Sequence, residues 1–421
     1  MAKLNVIHWH LVDATSFATC SELFPALCAE GAYPNKYSAD VDHSSPTRNV
    51  TKAKYTPADL RELVAFAKSY GVRIQPEWDM PGHGSWGMGM PELVTSSCSS
   101  ALDVTRPELY TFLRSFLGEM GAIFSEEFIF LGGDELSTSC FDDSPSVAAW
   151  MKAKGLDASS TQQFFWQQMT AKVFPHLNKT ISVWRADDPN RGAFASNLPT
   201  GSVMNVYQSL KTAWQQTLPA GTKTVVSMAG DRWYLDSEAS GYNQNSWKST
   251  YNFNAASLQR GASWASSSGG SWFVPPNASA AQHADMLGGE TAMWGEGINK
   301  DNFDAFVWRA ATAAAERLWT TERALGCPEA TCPGVGAAAA AAGMPMPKTT
   351  YWLTEGGNTG RLDDQLCRMS RMGIRTGPIA PGFCPSDEDT DTVTQEVELR
   401  QRLEEQLAEL RLELARLKAA A

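Results

Sequence analysis

Short apolar segments alternate with helical patterns along most of the chain, and this alternation restricts the fold more than any other feature. Pattern reading gives about seven strands. They are residues 4–13, 72–78, 128–131, 180–185, 202–208, 224–229 and 286–294. Strands that alternate with helices require a parallel sheet. The sequence therefore predicts an α/β fold, one strand short of a (β/α)8 barrel.

Helical patterns occupy the segments between several of these strands. Thr56-Pro57 supplies an N-cap and a proline in the first turn, and Gly71 stops the same helix. Further helices are predicted at residues 106–120, 160–174, 211–218, 302–320 and 353–372.

The segment F-I-F-L-G-G-D-E, residues 128–135, combines a buried strand with two adjacent acids. An unbroken apolar run is typical of a strand that is buried on both faces. Asp134 and Glu135 follow it, where a carboxylate is costly unless something uses it. In a barrel of this kind the active site lies at the carboxyl ends of the strands, so this pair is the first candidate for chemistry.

Polar and aromatic side chains recur at the same end of other predicted strands. They are Asp13, Asp79, His83, Trp184, Tyr207, Tyr234, Asp236, Trp294 and Glu296. Any one alone is most simply a cap, a turn residue or scaffolding. Their repetition at successive strand ends favours a functional site.

The adjacent acids are awkward as an opposed nucleophile and acid. Two-carboxylate glycosidases hold their carboxyl groups on opposite sides of the scissile bond, roughly 5 Å or more apart. Neighbouring residues of a strand point to opposite faces. One acid can instead donate a proton while the other orients a nearby group.

A metal-dependent hydrolase is the less favoured alternative. His8-Trp9-His10 places two imidazoles on one face of a strand, as metal-dependent amidohydrolase barrels do. Such a site needs ligands from later strands, and of the remaining histidines only His83 is suitably placed. We therefore predict no metal and no cofactor.

Charge and cysteine content limit the partners. The net charge of −11 argues against a nucleic-acid partner, and no transmembrane run is visible. Eight cysteines without a C-x-x-C zinc pattern are typical of disulfides in an oxidising compartment. We expect a lysosomal, vacuolar or secreted protein whose targeting segment is absent from this chain.

Three regions are predicted along the chain. Residues 1–385 form the barrel domain, 386–393 an acidic linker and 394–421 a charged helical extension. Coiled-coil-like 4-3-4-3 spacing relates Leu403, Leu407, Leu410, Leu414 and Leu417. About two heptads do not decide between a homodimerising helix and a single solvated one.

Four motifs in this order resemble family 20 glycoside hydrolases, the β-N-acetylhexosaminidases. They are H-W-H-L-V-D, I-Q-P-E-W-D-M-P-G-H, L-G-G-D-E and G-G-E-T-A-M-W-G-E, and the resemblance covers roughly residues 3–384. It implies exo-acting, retaining hydrolysis of terminal N-acetyl-β-D-hexosamine residues of glycoconjugates or chitooligosaccharides. The nucleophile is then the substrate's own 2-acetamido oxygen, through an oxazolinium intermediate.

The resemblance also assigns roles. Glu135 is the general acid and then the base, Asp134 orients the acetamido group, and Asp13 with His83 supports the acid. The substrate-binding residues are Trp184, Tyr207 and Trp294 as pocket walls, Tyr234 at the acetamido oxygen, and Asp236 with Glu296 at sugar hydroxyls. Cys98–Cys140 and Cys367–Cys384 are implied disulfides, while Cys20–Cys28 and Cys327–Cys332 are our own guess as local pairs.

Three departures from the family pattern qualify this expectation. Ala14 stands where the family often has a second Asp, and Tyr207 stands where a third pocket Trp is usual. The family's first strand, with a sugar-binding Arg, is missing, so we expect an N-terminally incomplete barrel. The alternative function is an inactive or sugar-binding truncated homologue.

Overall fold

The computed structural model describes residues 2–32, 54–185, 197–206, 223–227, 286–295, 298–319 and 360–377, with Leu235, Trp247, Ile379 and Cys384. The predicted helix at 211–218, the acidic linker and the charged extension lie outside the described residues. So does the first part of the predicted helix at 353–372.

A parallel sheet of seven strands forms the centre of the described chain. Its strands are β1 (Val6–His10), β2 (Arg73–Glu77), β3 (Phe128–Phe130), β4 (Thr180–Arg185), β5 (Val203–Val206), β6 (Lys223–Ser227) and β7 (Met286–Glu290). Neighbours in the sheet are neighbours in sequence. The predicted strand count and parallel arrangement are therefore confirmed.

The sheet is curled, because side chains from its first and last strands meet. His8 Nδ1 on β1 lies 3.1 Å from a carboxylate oxygen of Glu290 on β7. Among the described residues these two strands are the ends of the sheet order and are not hydrogen-bonded to each other. The architecture is a partial (β/α)8 barrel.

Two strands end three or more residues earlier than the sequence predicts. The predicted strand 4–13 ends at His10, and Asp13 lies in a short antiparallel pair, Val12–Asp13 with Ser16–Phe17. The predicted strand 286–294 ends at Glu290, so Trp294 follows the strand rather than closing it. In both cases the apolar pattern continues past the last residue of the parallel ladder, and hydrophobicity alone does not reveal where the ladder stops.

Helices lie between the strands and follow the last one. They are Ala26–Gly31, Pro57–Ser69, Trp86–Gly89, Pro107–Ile123, Ser139–Asp142, Pro145–Lys154, Ala158–Lys172, Phe303–Trp319 and Gly360–Arg371. Thr56 caps its helix as predicted: its hydroxyl accepts from Asp59 N, and the Asp59 side chain accepts from Thr56 N. Such a reciprocal cap satisfies two backbone donors at once.

An aromatic core packs against the end of β2 and the segment that follows it. Glu77 and Trp78 are consecutive, so their side chains take opposite sides. Trp78 packs edge-on against Phe116 of the helix Pro107–Ile123, with ring centres 5.7 Å apart. Trp86 also contacts Phe116, and its indole donates to the backbone oxygen of Asp79 at 2.9 Å. The core therefore fixes the backbone from which the polar strand-end residues project.

The chain divides into two compact units. One contains residues 5–229 and 257–290, including the whole sheet. The other contains residues 1–4, 230–256 and 291–421, and here the helices Phe303–Trp319 and Gly360–Arg371 bury Ala313, Leu362 and Leu366 with Trp247. No helix among the described residues has the length and apolar character needed to cross a membrane.

Candidate active site

The backbone after β3 makes an irregular turn that delivers the two acids. β3 ends at Phe130, and Gly132 and Gly133 both have positive φ angles, 63° and 101°. A Cβ on Gly132 would overlap Asp79 Oδ1, and Gly133 N donates to that same oxygen at 3.0 Å. Gly132 is therefore required by the close approach of Asp79, whereas a Cβ on Gly133 would lie 2.8 Å from Trp166 Cζ2. Asp134 and Glu135 are not strand residues, so the alternation argument for their directions was wrong.

The two acids nevertheless face different surroundings. The side chain of Glu135 is 49% exposed, whereas Asp134 Oδ1 is buried and has no hydrogen-bond partner among the described residues. A buried carboxylate oxygen without a donor is costly unless a ligand supplies one. Asp134 Oδ1 can therefore accept a hydrogen bond from a ligand, and the exposed side chain of Glu135 is accessible to that ligand.

His83 stands beside Glu135. Its Nε2 lies 3.7 Å from Glu135 Oε2. Both residues have positive φ, 51° for His83 and 43° for Glu135, which is uncommon for residues with side chains and tends to occur at functional sites. One ligand-type atom from each of His83, Asp134 and Glu135 lies within 4.8 Å of the others, so these three could also hold a cation.

Asp134 and Asp79 form a pair of carboxyl groups in contact. Burial, followed by the charge of Glu77, raises the pKa of Asp134 to about 6, although His83 and a hydrogen bond with Asp79 oppose the shift. Burial and the charge of Asp134 raise the pKa of Asp79 well above its ordinary value. Two carboxyls this close favour sharing one proton, because both cannot be ionised cheaply.

Asp13 is paired with His10, a histidine that the sequence analysis did not assign to the site. His10 Nε2 lies 3.0 Å from Asp13 Oδ2. Burial alone would raise the pKa of Asp13, but the hydrogen bond and charge of His10 outweigh it and hold that pKa below its ordinary value. The charge of His83 adds to this lowering, so His83 acts on Asp13 electrostatically.

Glu77 connects several of these groups and was also missed. It is 1% exposed, and its Oε2 lies 2.9 Å from His8 Nε2 and 2.7 Å from His10 Nδ1. Its other oxygen accepts the indole N–H of Trp184 at 2.6 Å. An acid at a strand end was visible in the sequence, but partners from strands far apart in the chain were not.

These contacts weaken the metal alternative for His8 and His10. Each ring has carboxylate partners at both nitrogens: Glu77 and Glu290 for His8, Glu77 and Asp13 for His10. Burial alone would lower the two pKa values, but the carboxylates raise them to about 10 and about 11. A metal ligand must be the neutral imidazole, so this environment favours the wrong protonation state.

The structure describes two of the predicted binding residues, Trp184 and Trp294. Trp184, at β4, is 4% exposed, and its ring centre lies 4.8 Å from that of Phe130. Trp294 is 41% exposed and belongs to the other compact unit. The remaining predicted binding residues, Tyr207, Tyr234, Asp236 and Glu296, lie outside the described residues.

One disulfide joins two of the segments that carry candidate residues. Cys98 is bonded to Cys140, which links the segment after β2 to the segment after β3. Ser97 Oγ donates to the Cys140 backbone oxygen at 2.6 Å beside this bond. The structure also contains the expected pairs Cys20–Cys28 and Cys367–Cys384. The guessed pair Cys327–Cys332 lies outside the described residues.

Comparison with known proteins places this geometry in a family. The family model described as "Glycosyl hydrolase family 20, catalytic domain" matches residues 1–322. Beta-hexosaminidase subunit A1 of Dictyostelium discoideum is 29% identical over 92% of this chain and 62% of its own length. Beta-hexosaminidase subunit beta of Mus musculus is 28% identical over 91% of this chain and 60% of its own length. The chain thus spans about three fifths of these relatives.

Solved structures agree in fold. The exo β-N-acetylglucosaminidase of Vibrio harveyi in complex with N-acetylglucosamine aligns with a TM-score of 0.60 and 22% identity, covering 81% of this chain and 52% of its own. The β-N-acetylhexosaminidase of Bacteroides fragilis aligns with a TM-score of 0.62 and 17% identity, covering 92% and 68%. The ordered motifs, the partial barrel and the matching family model lead to one conclusion: the chain belongs to glycosyl hydrolase family 20.

Proposed function

We propose that this chain catalyses exo-acting hydrolysis of terminal non-reducing N-acetyl-β-D-hexosamine residues. The observation that carries the proposal is the contrast between the adjacent acids, Glu135 exposed and Asp134 with a buried oxygen lacking a donor among the described residues. Family membership and the names of the relatives support the substrate class.

The arrangement suits a substrate-assisted reaction. The acetamido oxygen of the sugar attacks the anomeric carbon while the glycosidic bond breaks, and Glu135 gives its proton to the leaving oxygen. An oxazolinium intermediate forms. Water then attacks the anomeric carbon and gives a proton to Glu135, the carbon–oxygen bond of the oxazolinium ring breaks, and the acetamido group is restored with overall retention. This route is a known exception to the two-carboxylate scheme.

Each remaining side chain has a proposed role in this scheme. Asp134 accepts the acetamido N–H at its buried Oδ1 and stabilises the positive charge that develops on the group. His83, 3.7 Å from Glu135, supports the acid, and the charge pair of Asp13 with His10 lies in the same network. Trp184 forms an apolar wall for the acetamido methyl group.

The remaining assignments rest on the resemblance of the sequence to the family. Tyr207 and Trp294 complete the pocket walls, Tyr234 donates to the acetamido oxygen, and Asp236 with Glu296 holds sugar hydroxyls. A glycan ending in N-acetylglucosamine or N-acetylgalactosamine is the proposed partner. Three disulfides among the described cysteines support a lysosomal, vacuolar or secreted location.

The direct test is cleavage of an aryl N-acetyl-β-glucosaminide by the full 421-residue chain. We expect turnover, and we expect Glu135→Gln to lower kcat by about 1,000-fold or more, because the leaving group loses its proton donor. Glu92→Gln is the matched control, since Glu92 is also an exposed glutamate and lies in the 3-10 turn Pro91–Leu93. Binding of N-acetylglucosamine without turnover would favour the sugar-binding alternative instead.

A further inference from the structure

One buried carboxylate, Glu77, lies at the junction of two parts of the proposed site. It ends β2, and its side chain is 1% exposed. Oε1 accepts the Trp184 indole N–H at 2.6 Å, while Oε2 lies 2.7 Å from His10 Nδ1 and 2.9 Å from His8 Nε2. Three groups from two other strands thus converge on a single carboxylate.

The charges around Glu77 explain why an ionised acid is stable there. Burial alone would raise the pKa of Glu77, but His10 and then His8 outweigh it and hold the pKa well below its ordinary value. A buried charge is tolerated only when opposite charges pair with it, and here Oε2 is paired electrostatically with the two histidines while Oε1 accepts the Trp184 hydrogen bond. Glu77 is therefore an anion between two imidazolium cations, and removal of its charge disturbs both.

The contacts continue outwards from this junction. The second ring nitrogen of His10, Nε2, lies 3.0 Å from Asp13 Oδ2. The second ring nitrogen of His8, Nδ1, lies 3.1 Å from Glu290 Oε2. The other carboxylate oxygen of Glu290 accepts a hydrogen bond from Asn205 Nδ2 at 2.8 Å. The rings of His8 and Trp184 are stacked, with centres 5.4 Å apart. The orientation of the indole and that of the His10–Asp13 pair consequently depend on the same carboxylate.

We propose that Glu77 is a positioning residue that couples Trp184, the wall of the acetamido pocket, to the His10–Asp13 pair on the acid side. Glu77 does not touch the sugar. One oxygen of Glu77 accepts from the Trp184 indole and the other pairs with His10. The position of the pocket wall relative to the His10–Asp13 pair is thereby fixed. This inference rests on the proposed function and adds a residue to its machinery.

The Glu77→Gln variant separates charge from shape. Gln keeps an oxygen that can accept the Trp184 indole N–H, but it no longer supplies the charge that holds His10. We expect kcat/KM for the aryl N-acetyl-β-glucosaminide to fall by roughly 100-fold, the scale of a small misplacement in an active site. Gln75→Met is the matched control, because Gln75 lies two residues earlier on the same face of β2 and its amide donates to Ser182 Oγ at 2.9 Å rather than to Glu77, His10 or Trp184. Its kcat/KM should stay within about threefold of the wild type.

A double-substitution cycle distinguishes positioning from general loss of structure. If Glu77 acts through His10 on Asp13, adding Asp13→Asn to Glu77→Gln should cost no more than about threefold beyond the larger single loss. Independent roles would give losses that multiply, and that result would overturn the proposal. So would a folded Glu77→Gln variant with near wild-type kcat/KM.

Circular dichroism and thermal unfolding report whether each variant folds. Should Glu77→Gln fail to fold, His10→Gln replaces it in the cycle, because that change cuts the link between Glu77 and Asp13 while His8 still pairs with Glu77. The same non-multiplying losses are expected, and multiplying losses would again overturn the proposal. Absence of turnover by the wild-type chain would instead contradict the proposed function, so the two failures are distinguishable.

Discussion

Asp134 is the residue at which function and stability should conflict most clearly. Asp134→Asn keeps the shape of the side chain but removes the charge that would stabilise the developing oxazolinium. We expect kcat to fall by about 100-fold or more, as when one preorganised electrostatic contact is lost. We also expect the variant to unfold at a higher temperature than the wild type near pH 7.5, because it removes a carboxylate that is costly to bury.

The pH dependence of that stability gain follows from the pKa of Asp134. In the folded chain it is raised to about 6 from an ordinary value of 3.8. The proton therefore stabilises the folded state at low pH, and this contribution is lost as the pH rises through about 6. Thermal unfolding near pH 7.5 and near pH 4.5 checks the sign. A gain from Asp134→Asn that is as large at the lower pH would contradict the account.

Single residues also show how far sequence reasoning reaches. The candidate acids Asp134 and Glu135 stand out in the sequence, because two adjacent acids only two glycines after a buried apolar run are unusual in themselves. Glu77 and His10 were not, because their importance comes from partners that are more than 60 positions apart in the chain, such as Glu77 with His10 and Trp184 with Glu77. Residue type and spacing carry no record of such contacts.

At the scale of elements, the turn after β3 depends on a glycine that has no room for a side chain. Gly132 has a φ of 63°, and a Cβ there would overlap Asp79 Oδ1 and lie 2.8 Å from Asp79 Cα. We expect Gly132→Ala to destabilise the fold by about 3 kcal/mol or more, since strain and overpacking combine. It should also abolish turnover, because the same turn carries Asp134 and Glu135.

Gly155 offers the matched control for that substitution. Its φ is 67°, yet a Cβ added to it would meet no described atom within 4 Å. Gly155→Ala therefore costs only the backbone strain, about 1 kcal/mol, with kcat unchanged. Denaturant unfolding of both variants measures the difference. Equal losses of stability would show that the contact with Asp79 does not matter.

Element boundaries were predictable where local chemistry marks them. The reciprocal cap between Thr56 and Asp59 begins a helix at the predicted position, because the cap is formed by residues adjacent in sequence. The ends of β1 and β7 were misplaced, because a strand ends where its partner stops pairing with it. That partner lies elsewhere in the chain.

At the scale of the whole molecule, the seven parallel strands were predictable from periodicity, whereas the division into two compact units was not. The second unit combines the first residues with segments after residue 229, and no composition change marks such a combination. Spatial proximity of distant segments is a property of the folded chain rather than of any local pattern.

The predicted regions of the chain lead to an expectation about the C-terminal extension. All proposed site residues precede residue 297, so a chain ending at residue 385 should keep the kcat of the full chain. Sedimentation velocity of the two forms separates the two interpretations of the leucine pattern. A homodimer that becomes a monomer on shortening supports the coiled coil, and identical behaviour supports a solvated helix. A shortened, folded chain without turnover would contradict the proposed domain boundaries.

The central claim is that the substrate's acetamido oxygen is the nucleophile and that Asp134 and Glu135 serve it. The most direct measurement is kcat/KM for aryl glucosaminides whose N-acetyl methyl group carries zero, one, two or three fluorine atoms. Fluorine withdraws electrons from the carbonyl oxygen, so we predict a steep, continuous fall in kcat/KM across the series, with at least about 100-fold between the end members. A rate that is independent of fluorine number would contradict the account, because a carboxylate or water nucleophile would not depend on the basicity of that oxygen.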